Sequence, residues 1–211
     1  PPPPPPPAHA NFHPHVDGHD HVTGHRSGVV DVNCQCHGYG HDHDHEAISK
    51  VILDITSQAD DSVQTINFTD PQTGDGGVDA DIELENGTTY DMAMTVLNHL
   101  VDPIEDITLE IIDEQNDHQV FFTGSAITNG IVTFTYEDED DNGLPLGLDT
   151  TITGATAGEG IMTLTLQHMA EQDGNPVKRA GMAADVAAEG LSGISGEGAP
   201  DFTIDFPVIV E

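Results

Sequence analysis

Apolar and polar positions alternate along most of the chain from residue 51 onward. Val51, Leu53 and Ile55 alternate with Ile52, Asp54 and Thr56, the period-2 spacing of a half-buried strand. Comparable runs occupy residues 63–68, 80–84, 89–97, 120–123, 131–136, 161–167 and 202–210, separated by Gly, Asp and Asn. Eight short strands punctuated by turns predict a mainly β fold, a single antiparallel β-sandwich of immunoglobulin-like type. Residues 103–115 fit two periods: Ile104, Ile107 and Ile111 make a helical face, while Ile107, Leu109 and Ile111 fit a strand. A short helix is expected there. Residues 180–200, rich in Ala, Gly and Glu, are expected to form a long loop or edge excursion before the last strand.

The pattern stops at about residue 47. Pro1 to Pro7 form an uninterrupted proline run, which lacks amide donors and favours a stiff polyproline II rod of about 3 Å per residue. The stretch that follows, to Glu46, has few large apolar residues and alone cannot bury enough surface to offset its ordering entropy. The chain therefore divides into an extended Pro/His-rich arm, 1–47, and a β-sandwich domain, 48–211.

Charge narrows the partners. The 211 residues carry 38 Asp+Glu against 4 Lys+Arg, a formal net charge of -34. Nucleic acid is not an expected partner, because a polyanion is repelled and almost no cations are available to neutralise phosphates. No run approaches the roughly 18 apolar residues that span a bilayer. Only six acids and two bases lie in the first 50 residues, so most of the negative charge rests on the domain, where bound cations would relieve self-repulsion.

Ten of the 13 histidines belong to the arm: His9, His13, His15, His19, His21, His25, His37, His41, His43 and His45. Neutral imidazole is a ligand for Zn, Cu and Ni, and His-x-His in an extended chain places both rings on one side. In His41-Asp42-His43-Asp44-His45 the interleaved carboxylates can ligate or orient the rings. Cys34 and Cys36 stand beside His37 in Cys34-Gln35-Cys36-His37, one residue short of a c-type haem attachment motif. The thiolates could hold Cu(I) or Zn, or cross-link neighbouring chains in an oxidising compartment.

In the domain, Asp138-Glu139-Asp140-Asp141-Asn142-Gly143 follows the calcium-loop pattern, with Asp149 at the twelfth position where Glu is usual. Asp138, Asp140, Asn142 and Asp149 are the expected calcium ligands. Asp70, Asp75 and Asp79 make a looser acidic loop that fits no standard cage. No nucleophile elbow, zinc-protease helix or phosphate-binding glycine loop is present, so no enzyme is expected. His99, His118 and His168 are far apart along the chain and read as surface or packed histidines.

Several short motifs in order carry a resemblance. Glu85-Asn86-Gly87-Thr88-Thr89-Tyr90, Pro103-Ile104-Glu105-Asp106-Ile107-Thr108, Asp117-His118-Gln119-Val120-Phe121-Phe122, the 136–148 loop and Thr163-Leu164-Thr165-Leu166-Gln167-His168 resemble a family of uncharacterised bacterial surface lipoproteins. The resemblance covers 48–211. It implies a secreted or cell-surface, lipid-anchored β-rich domain on the outer face of a bacterial envelope, often preceded by a His- and acid-rich linker. Cys34 lies inside the His-rich arm and follows no signal sequence, so it departs from that family's lipidated cysteine.

Together these readings give an expected function. It is a non-enzymatic extracellular protein that binds divalent transition metal, Cu or Zn, through the arm, and Ca through the acidic loop. The alternative is a structural subunit of an extracellular filament or surface layer, a homo-polymer in which the arm packs on or cross-links to its neighbour.

Overall fold

A computed structural model describes residues 47–70 and 76–211. These form two β-sheets around one core. The first sheet runs in the order β3 (Gly77–Val78), β2 (Val63–Thr69), β1 (Lys50–Ser57), β5 (Thr89–Asn98), β9 (Asp149–Gly154), β8 (Val132–Tyr136), with β6 (Glu105–Asp106) paired to the end of β5. The second runs β4 (Ile82–Leu84), β11 (Ala199–Val210), β10 (Gly158–His168), β7 (His118–Thr123). Every ladder is antiparallel except β4 with β11, which is parallel.

The expected alternation is realised in the burial. Val51, Leu53 and Ile55 of β1 face Met162, Leu164 and Leu166 of β10 and Ile204, Phe206, Val208 and Val210 of β11 across a single interior. Each such side chain contributes about 1.5–3 kcal/mol by leaving water, which makes this inter-sheet layer the main source of stability. Gly160 is required where β10 passes the next turn: a Cβ there would sit 2.8 Å from the Ala126 amide nitrogen.

The expected short helix is α1, Ile107–Asp113. The Asp106 side chain caps it by accepting from the Thr108 amide, and Ile107 and Ile111, one turn apart, point inward. The Thr108 hydroxyl both accepts from the Val96 amide and donates to the Val96 carbonyl, fastening α1 to β5. A further single-turn helix, α2 (Ser125–Thr128), follows β7.

Two expectations differ from the structure. The 180–200 excursion holds a helix, α3 (Met182–Glu189), followed by a 3-10 turn over Gly190–Ile194. Phe121 on β7 points away from the main interior, and Met169, Met182, Val186 and Ile194 cover it to make a second small core. The Ala-rich composition hid this because only Met182 and Val186 carry the buried face of α3. The strand β9, between β5 and the edge strand β8 of the first sheet, also stands outside the eight expected strands; its Thr-Thr-Ile-Thr sequence is β-branched, yet Asp149 also fits the end of a calcium loop.

Candidate metal centre

The arm ligands expected from sequence, His9, His13, His15, His19, His21, His25, Cys34, Cys36, His37, His41, His43 and His45, lie outside the described residues, as does Asp75. The structure speaks to the ligands of the folded domain.

The 138–149 loop connects β8 to β9. Asp138 Oδ1 accepts from the Gly147 amide at 2.7 Å, and its Oδ2 accepts from the amides of Leu148 at 2.8 Å and Asp149 at 3.0 Å. Asp140 Oδ1 accepts from the amides of Asn142 and Leu144, while its Oδ2 lies 2.8 Å from the Lys178 ammonium. Asn142 donates its side-chain amide to Asn116 at 2.8 Å. Burial works against the Asp140 charge, but Lys178 and the two loop amides outweigh it and hold this carboxyl below the usual range. Burial, with the nearby Asp138 charge, pushes Asp149 up. Of the oxygens expected to surround calcium, those of Asp138 and Asp140 thus face the loop's own backbone amides and Lys178.

Two histidines that stand 50 positions apart in sequence meet instead. In the β7–β10 ladder His118 is the direct partner of His168, and the rings stack with centroids 4.5 Å apart and planes 15° from parallel. Glu114, between α1 and the 3-10 turn Gln115–Asp117, completes a group whose ligand atoms all lie within 4.8 Å of one another. Among the described residues this is the group of three such side chains close enough to share an ion.

Two neighbours fix the orientation of the His118 ring. Its Nδ1 is 3.1 Å from the Glu114 carbonyl, and donation there leaves the Nε2 lone pair facing outward from that bond. Nε2 lies 3.6 Å from Asp201 Oδ2. Asp201 owes its position to an irregularity: the β10–β11 register pairs Leu166 with Phe202 but Gln167 with Pro200, so Asp201 is the extra residue of a β-bulge. Burial alone would lower the His118 pKa, but Asp201 and the Glu114 carbonyl outweigh it and raise it. His168 is lowered, by burial first and by its His118 neighbour second.

Two imidazoles with one or two carboxylates form a donor set suited to Zn and other divalent first-row metals. Because the rings lie nearly parallel, a single ion held by both requires them to turn so that their in-plane lone pairs converge. The signal available in sequence was the placement of His118 and His168 at the ends of two strands that pair; spacing along the chain could not show it. A cleft of about 330 Å³ runs along the acidic loop and another of about 510 Å³ lies over β1, β5 and β9, and neither is lined by His118 or His168. His99 has a separate role, with Nδ1 2.8 Å from the Ser49 hydroxyl. Among the described residues, no helix is long and apolar enough to cross a membrane. Comparison of the chain with family models, with curated proteins and with solved structures returns no match, so this centre is interpreted through its own chemistry.

Proposed function

We propose that this chain is a non-enzymatic extracellular or cell-surface protein that binds divalent transition metal, with zinc or copper as the ions its donors suit. The observation that carries the reading is the Glu114, His118 and His168 group, two imidazoles paired by strand register at one end of the second sheet with the carboxylate at the end of α1 beside them. It adds a folded site to the histidine-rich arm, whose ten imidazoles support the same chemistry from composition. Calcium is not part of this proposal, because the Asp138 and Asp140 oxygens already accept from backbone amides and face Lys178.

The test is elemental analysis of the full chain, purified without a metal-affinity step, loaded with zinc and dialysed. His118→Ala with His168→Ala is expected to bind one zinc ion fewer per chain than the parent, with unchanged circular dichroism in chelator. An unchanged zinc count overturns the folded site. Loss of all binding on replacing only the arm histidines would confine the function to the arm.

A further inference from the structure

Lys178 and Asp140 meet in a place closed to water. Their side chains are 1% and 0% exposed, and Nζ lies 2.8 Å from Oδ2. Only four cationic side chains offset 38 acidic ones in this chain, and this one is sealed against a single carboxyl group.

The two Asp140 oxygens are treated differently. Oδ1 accepts from the amides of Asn142 at 2.8 Å and Leu144 at 2.9 Å. Oδ2 faces the lysine nitrogen at 2.8 Å and accepts from no other group. Nζ in turn donates one hydrogen to the Gln115 carbonyl at 2.9 Å, which fixes the direction of the nitrogen. A nucleophile-type atom therefore rests against a carboxyl group whose other oxygen sits between two N–H donors, the arrangement that stabilises charge developing on that oxygen. Burial pushes the Lys178 ammonium down toward the neutral amine. The folded domain contains no cysteine, since both lie at positions 34 and 36, so a covalent tie within it has to use other chemistry.

We propose that Lys178 and Asp140 condense to an intramolecular amide bond joining the 138–149 loop to the segment that leads into α3. The ammonium passes a proton to Oδ2, and the freed lone pair on Nζ attacks Cγ. Negative charge gathers on Oδ1 under the Asn142 and Leu144 amides. Nζ then releases a second proton to the departing Oδ2, which leaves as water while Oδ1 re-forms the carbonyl. Ammonium plus carboxylate gives amide plus water, with no change of oxidation state. The hydrogen that remains on nitrogen is the one directed at Gln115, and Oδ1 keeps both of its donors. Two buried charges disappear, which removes the desolvation cost of holding an ion pair away from water.

Intact mass spectrometry of the full chain, followed by tandem analysis of a digest, tests this. The expected mass is lower than the sequence mass by one water, with a branched peptide joining position 140 to position 178; the Lys178→Arg chain should show its full sequence mass. Full mass in the parent chain, with unlinked peptides, overturns the proposal without reference to any variant. So does a water loss that maps elsewhere, such as the Asp173-Gly174 step, where aspartate can cyclise onto the following amide.

Discussion

The acidic loop and the histidine pair invert each other between sequence and structure. The loop is conspicuous as a string, six residues matching a cation-binding pattern, and in the fold the Asp138 and Asp140 oxygens face Gly147, Leu148, Asn142, Leu144 and Lys178. His118 and His168 are inconspicuous as a string, and in the fold a single rung of the β7–β10 ladder stacks their rings. Spacing describes donors that are close along the backbone. An ion responds to donors that the fold brings within reach of one another, which spacing along the chain does not describe.

The sharpest way to break this comparison is at Asp140. Replacing Asp140 with Ala leaves the Lys178 side chain buried without its partner, and should lower unfolding free energy by about 3–5 kcal/mol. Neighbouring Asp141, exposed in the same loop, should change it by no more than about 0.5 kcal/mol on the same substitution. Equal values from urea denaturation of the two variants would mean that the loop does not depend on its buried pair.

Zinc gives the next effect. At a free concentration about 100 times Kd, a single folded-state site adds about 2.7 kcal/mol, read as a rise in melting temperature. With the arm histidines replaced, that rise should persist in the otherwise native chain and vanish on adding His118→Ala and His168→Ala. A rise that survives the double replacement would place the ion elsewhere.

A smaller effect belongs to Asp79, which follows β3 and whose carboxylate accepts from the Asn67 amide at 2.8 Å and side chain at 2.9 Å. Burial opposes its charge, but the Asn67 donors prevail and the pKa is lowered. A carboxylate lowered on folding stabilises above its unfolded value of about 3.9 and loses that contribution as pH falls through the folded value. Asp79→Ala should therefore cost less than about 1 kcal/mol at pH 7, with the difference from the parent closing below pH ~3.9. A gap that stays constant at low pH would contradict this. Calcium should produce no change in melting temperature; a gain abolished by Asp138→Asn would restore the loop as a cation site.

The layered fold was legible because alternation is local: Val51, Leu53 and Ile55 announce β1 without knowledge of any partner. The helix α1 was legible for the same reason, with Asp106 as cap and Ile107 and Ile111 one turn apart. Less visible was α3, whose alanines give no strong apolar face and whose purpose, covering Phe121, depends on β7 having both faces buried. The histidine pair was hidden by a third cause: strand partners and a bulge at Asp201 are properties of two distant segments at once. Lys178 likewise reads as an ordinary surface lysine until the loop it meets is in place.

The location of β11 sets an order of events. It lies between β4 and β10, and its inward residues Phe202, Ile204, Phe206, Val208 and Val210 form much of one wall of the interior. All strands of the first sheet precede residue 155. A chain emerging from its N-terminal end can therefore pair that entire sheet while its apolar face still lacks a lid, and only arrival of residues 199–210 closes it. During that interval the exposed face is the species most open to aggregation or to a holding chaperone, so the last strand acts as the step that ends the chain's dependence on protection.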